Sequence, residues 1–249
     1  MRRINPNSFP LPMKPYQTVP IVECGEPLLP IPLEKFAAPP VHPYVAVGAP
    51  YGERSPYYLR QGVLERLLQA QAALQSIHPE WRIFIFDAYR PLAVQRYMVD
   101  YSFEEWVRSH HLDPANLTPE QRQECLEHVH QFWAVPSTDP ATPPPHSTGA
   151  AIDVTLVDPS GTEVDMGSPI DELSPRSYPG HFANPCAEPE GDRYHQNRQL
   201  LRQVLLTAGF CQHPKEWWHF SFGDQLWAWQ QRSPTEVSAR YGAWRGEEF

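Results

Sequence analysis

The sequence is short of several things, and each shortage narrows what the chain can be. No apolar run exceeds the length of a strand, so no segment reads as a membrane span. The opening stretch MRRINPNSFPLPMKPYQTVP has two arginines, but prolines stand where an export signal needs continuous apolar residues. Positive charge is also scarce. Against 29 Asp and Glu there are 20 Lys and Arg, and the net charge of −9 offers no electrostatic footprint for nucleic acid or an anionic membrane. The four cysteines, Cys24, Cys125, Cys186 and Cys211, lie far apart with no C-x-x-C pair, so free thiols in a reducing compartment are expected. A cytoplasmic protein follows. Self-association is compatible with the sequence, which sets no stoichiometry.

What the chain has in quantity is proline, 30 residues in 249. Prolines crowd residues 1–44, where they favour an extended arm with few backbone donors that wraps the remainder, 45–249. A second cluster, VPSTDPATPPP, forms a stiffened loop that ends at His146. Between the two, Val63, Leu67, Ala70, Leu74 and Ile77 recur at helical steps. RIFIFDAY, Arg82 to Tyr89, reads as a central strand, with a helix after Pro91 reaching to about Ser109. Thr118, Pro119 and Gln121 supply the cap, first-turn proline and capping box of another helix. AIDVTL is the next strand. A later helix places Leu201, Val204, Leu205 and Ala208 on one face and stops at Gly209, and Glu216 to Phe222 is a final strand candidate. Helices and strands mix without βαβ regularity. The expected fold is therefore one α+β domain with a central, mainly antiparallel sheet flanked by helices, preceded by the proline-rich arm.

The chemistry concentrates in three short strings. In HSTGAAIDVTL the strand period puts Ala151, Asp153 and Thr155 on one face and Ile152, Val154 and Leu156 on the other. A carboxylate inside a buried strand needs a partner. Gly149 allows a bend that returns His146 to the Asp153 face. Such a pair is either half of a metal site or an ion pair that pins a loop. In EWWHF, a regular strand would send Glu216 and His219 to opposite faces, whereas a distorted one brings them together. Alone, this string also fits an ordinary aromatic core strand. Combined, His146, Asp153 and His219 make three N/O donors with a fourth vertex left open, the pattern of catalytic zinc rather than structural zinc. Water on such an ion has a pKa near about 7, and Glu216 is the carboxylate to take its proton. In FDAYRP, Arg90 ends a buried strand, either to meet a developing oxyanion or simply to pair with Asp87.

H-x-x-G-x-A-x-D (His146 to Asp153), E-W-W-H (Glu216 to His219) and D-A-Y-R-P (Asp87 to Pro91) together resemble, in order and spacing, the D-alanyl-D-alanine dipeptidases. The resemblance runs from about Tyr44 to Phe222 and takes in MGSPID, Met166 to Asp171. It implies one zinc ion per chain on His146, Asp153 and His219, with Glu216 as general base and Arg90 stabilising the transition state. It further implies that Asp171 anchors the substrate's ammonium group and that Tyr44 touches substrate. The implied activity is hydrolysis of D-Ala-D-Ala or a similar small D-dipeptide. A D,D-carboxypeptidase or peptidoglycan endopeptidase is the alternative, and a catalytically silent zinc module a further one. Pro144 stands where the dipeptidases commonly carry a serine, which bears on substrate choice but not on metal chemistry.

Overall fold

A computed structural model describes residues 13–184, 188–231 and 237–244. The described part of the arm has a 3-10 turn at Pro15–Thr18, the short strand β1 (Leu28–Pro30) and the one-turn helix α1 (Pro43–Ala46). Then come β2 (Tyr58–Arg60), α2 (Gln61–Ile77), β3 (Arg82–Asp87), α3 (Leu92–Ser109) and α4 (Pro119–Val129). The chain continues through β4 (Ala151–Val157), α5 (Gly191–Thr207), β5 (Cys211–Gln212), β6 (His219–Ser221) and α6 (Gln225–Gln230). The architecture is α+β. A four-stranded antiparallel sheet runs in the order β3-β4-β6-β5, and β1 and β2 form a second antiparallel pair.

One side of the large sheet carries the main core. Ile152, Val154 and Leu156 of β4, Ile83 and Ile85 of β3, and Phe220 of β6 pack with α2 and α5 there. On α2, Val63, Leu67, Ala70 and Leu74 are fully buried as the helical period predicts. Ile77 departs from it: as the last helical residue it is 47% exposed. On α5 the expected face, Leu201, Val204, Leu205 and Ala208, is buried throughout. A second cluster joins α3 and α4 through Val94, Met98, Val99, Phe103, Val107, Cys125 and Val129, with Tyr44 and Trp133 beside them. The Thr118 cap forms as expected, its hydroxyl accepting from Gln121 N while Gln121 Oε1 accepts from Thr118 N.

The arm is more than a wrapping. Leu28 and Phe36 are buried, Phe36 in the main core, and α1 spans the compositional boundary at residue 44. Arg60 clasps the arm to the rest of the chain. Its guanidinium donates to Thr148 O, Glu26 O and Gly242 O, and pairs with Glu23. Cys24, Cys125 and Cys211 are free thiols, and Cys186 falls outside the described residues. Among the described residues no helix is long and apolar enough to cross a membrane.

Candidate active site

Register, not proximity in sequence, assembles the site. Across the large sheet Asp87 on β3 stands opposite Asp153 on β4, and Asp153 opposite His219 on β6. The first pairing depends on a bulge. The register shifts between Ile85 and Asp87, so one extra residue of β3 is accommodated and Asp87, not Phe86, faces Asp153. His146 arrives from a 3-10 turn at Pro145–Thr148 that closes on Gly149. Gly149 has φ +72°, and a Cβ there would lie 2.3 Å from Leu28 Cδ2. Glycine is required at this point both for the left-handed backbone and for the close approach of β1. The turn is tied down by Ser147 Oγ, which donates to Arg90 O, and by Arg90 N, which donates to His146 O.

The expected strand at Glu216 to Phe222 is shorter than its sequence promised. Only His219–Ser221 pair as strand, and residues 213–218 are irregular, with a turn at 214–215 and a bend at 217–218. That irregularity is what brings Glu216 to the His219 side, with Oε2 3.7 Å from His219 Nδ1. The structure thus brings together His146, Asp153 and His219, all buried, with one donor atom from each lying within 4.8 Å of the others.

Hydrogen bonding fixes which atoms face inward. His146 Nδ1 lies 2.7 Å from Ala88 O, so that nitrogen carries the hydrogen and Nε2 keeps its lone pair. His219 Nε2 is 3.2 Å from Ser221 Oγ, which leaves His219 Nδ1 as the inward atom. Those two inward nitrogens are 3.2 Å apart, and the Asp153 oxygens lie 3.3 Å from His146 Nε2 and 3.1 Å from His219 Nδ1. Two ring nitrogens and a carboxylate thus converge on one point. Such a cluster needs a proton or a cation between its electron pairs, and two imidazoles with one carboxylate form a donor set suited to a divalent transition-row ion. Burial would raise the Asp153 carboxyl, but the two imidazoles hold it well below the usual carboxylate range, so it stays an anionic donor. Ala88 O and Ser221 act as the outer partners that orient the rings.

Around this cluster lies a cavity of about 520 Å³, counting its open mouth, lined by Arg90, Trp133, Asp171, His213, Glu216 and Trp218 among others. Glu216 is buried, and its Oε1 has no hydrogen-bond partner. Burial first and the charge of Asp153 second push its carboxyl well above the ordinary glutamate value. Arg90 realises both of its sequence readings. Its Nε and Nη2 donate to Asp87 Oδ2 at 3.0 and 2.7 Å, Nη1 donates to Gln95 Oε1 at 2.9 Å, and Nη2 also reaches Tyr44 OH and Asp153 Oδ2. Its guanidinium lies 4.9 Å from the ring centres of both Tyr44 and Trp133. Tyr44 is buried, and its hydroxyl donates to Asp171 Oδ2 at 2.8 Å. Asp171 has φ +66°. Burial, then the Asp153 charge, raise its carboxyl to about 7.

Four residues to which the strings gave no role at the metal cluster also belong here. Asp87 is a hub: besides Arg90 it accepts from Tyr51 OH at 3.1 Å, with His42 Nε2 at 3.0 Å and His146 Nδ1 at 3.2 Å. Its place beside Arg90 in DAYRP was the available signal. His213 stands 3.4 Å from Glu216 Oε1 and edge-on to His219, and its position three residues before Glu216 hinted at this. Lys14 and Tyr16 line the cavity from the arm, where nothing in the sequence pointed to them.

Comparison with known proteins supplies the family. The M15 peptidase model, described as D-ala-D-ala dipeptidase, matches residues 38–238. The chain belongs to this family. A D-alanyl-D-alanine dipeptidase of Synechocystis sp. is 53% identical over 243 residues, covering 94% of this chain and 98% of that one. One of Enterococcus faecium is 32% identical over 165 residues, 65% of this chain and 71% of that one. A third, of Escherichia coli, is 43% identical over 75 residues, 30% of this chain and 36% of that one. Membership of the dipeptidase family makes the chain a metallopeptidase, and His146, Asp153 and His219 are its candidate metal site.

Proposed function

We propose that the protein hydrolyses D-Ala-D-Ala, or a dipeptide of the same size and chirality, with one zinc ion held by His146, Asp153 and His219. The observation that carries this reading is the convergence of three metal-donor atoms beside a buried Glu216 oxygen that makes no hydrogen bond, in one cavity. An ion so held lowers the pKa of water and polarises a carbonyl. Glu216, desolvated and therefore a stronger base than an exposed glutamate, takes the proton of the attacking water and returns it to the departing amine.

Arg90 carries five N–H donors. With Asp87, Gln95, Tyr44 and Asp153 engaging Nε, Nη2 and one Nη1 hydrogen, the other Nη1 hydrogen meets no acceptor among the described residues. That donor serves the substrate carbonyl oxygen as it gains charge. Asp171, held by Tyr44 OH, receives the substrate's ammonium group, which limits the enzyme to peptides with a free N-terminus one residue before the cut. A cytoplasmic setting belongs to the same proposal and is supported by the free thiols Cys24, Cys125 and Cys211.

The test is direct. Zinc-loaded protein incubated with D-Ala-D-Ala should release two equivalents of D-alanine. No release, together with cleavage of longer muropeptides, would move the assignment to a D,D-carboxypeptidase or endopeptidase.

A further inference from the structure

We propose that Lys14, carried into the cavity by the N-terminal arm, receives the substrate's free C-terminal carboxylate. This assignment rests on the dipeptide reading above and extends it to the other end of the substrate.

Lys14 is held in place, not left on a loose chain end. Its backbone N donates to Gln17 Oε1 at 2.7 Å, and the turn that follows buries Tyr16 against Cys211 and Leu226. Gln225 Nε2 fastens the same turn by donating to Val19 O at 2.7 Å and to Ala141 O at 2.9 Å. The side chain then lines the same cavity as Glu216, His219 and Asp153.

The charges around the cavity leave this lysine available. Arg90 is committed to Asp87, Gln95, Tyr44 and Asp153. Lys14 forms no ion pair among the described residues; Glu216 is the acid whose field it feels, while burial draws its ammonium pKa down. A half-buried ammonium beside a cavity, without a salt-bridge partner, is a natural receptor for an anion.

A chain of contacts ties Asp171 to the metal ligands and Glu216. Asp171 touches Tyr44 (2.8 Å), Tyr44 touches Arg90 (3.2 Å), Arg90 touches Asp153 (3.3 Å), Asp153 touches His219 (3.1 Å), and His219 is 3.7 Å from Glu216. Lys14 lines the same cavity as Glu216 and Asp171. The cavity thus offers an acid and a base beside the metal-ligand cluster. A zwitterionic dipeptide presents the matching charges, about 7 Å apart when extended. Its ammonium group goes to Asp171, its peptide carbonyl lies over the ligands, and its carboxylate meets Lys14.

The experiment compares D-Ala-D-Ala with its C-terminal amide on zinc-loaded wild type, Lys14→Met and Lys14→Arg. Wild type should prefer the acid. Lys14→Met should lose on the order of 10- to 100-fold in kcat/KM for the acid, mainly through KM, and far less for the amide. Lys14→Arg should keep most of the preference. If Lys14→Met lowers both substrates equally, the lysine acts on Glu216 or on the arm and the proposal is overturned. Equal wild-type rates on acid and amide would also overturn it. A wild type inactive on both refutes the dipeptide reading itself, and the carboxylate receptor with it.

Discussion

Replacing Asp87 by asparagine keeps the shape of a fully buried side chain but removes its charge. In the native fold burial alone would raise this carboxyl, and the Arg90 guanidinium, with His42 and His146, holds it below the usual carboxylate range. An exposed ion pair contributes about 0–1 kcal/mol. The Asp87–Arg90 pair is different, because both side chains are buried and two guanidinium hydrogens meet one oxygen at 3.0 and 2.7 Å. Removing one partner of such a pair costs roughly 3–5 kcal/mol, since the surviving charge stays out of water. For a domain of this size each kcal/mol lowers Tm by about 2–4 °C. The expected loss for Asp87→Asn is therefore roughly 6–20 °C, read by calorimetry of the metal-free protein at pH 7. The sign with pH follows from the lowered carboxyl. Its stabilisation is complete above the unfolded value near about 4 and fades as pH falls through the folded value. The gap between wild type and variant should accordingly narrow in acid. A loss under about 1 kcal/mol at pH 7, or a gap that widens on acidification, refutes the reasoning.

Gly149→Ala combines a φ of +72° with a Cβ 2.3 Å from Leu28 Cδ2, and should lose about 1–3 kcal/mol in chemical denaturation. It should also weaken metal affinity, because the turn that delivers His146 must shift. Asp171, raised to about 7 mainly by burial, is protonated more readily in the fold than in the unfolded chain. Metal-free wild type should therefore lose stability relative to Asp171→Asn as pH climbs from 4 to 7, with the two converging near pH 4. Equal pH slopes for the two proteins would count against that raised carboxyl.

The fold was readable where side chains obey a single period. The α2 face up to Leu74, the α5 face, the Thr118 capping box and the alternation in AIDVTL appear as the sequence predicts, because each depends on neighbours within a turn or two. Pairing across strands is a longer-range matter. Asp87 looked like the local partner of Arg90, and the bulge that sets it opposite Asp153 has no marker in RIFIFDAY. EWWHF likewise does not say where strand gives way to turn. Only the paired register shows that the residues before His219 leave the sheet and turn Glu216 toward the ligands. The arm was the least legible part. Proline density predicts extension, but whether an extended chain covers a surface or enters a cavity depends on anchors such as Gln225 and Arg60 that are distant in sequence.

The central claim is that His146, Asp153 and His219 hold the metal while Glu216 handles protons without holding it. Metal content by mass spectrometry, measured beside D-Ala-D-Ala turnover, separates the two roles. The account predicts one zinc per chain in wild type and in Glu216→Ala, with turnover of the latter down on the order of 100-fold or more. It predicts that His146→Ala loses both metal and turnover. A Glu216→Ala protein at full rate, or a His146→Ala protein that still carries stoichiometric zinc, would contradict it.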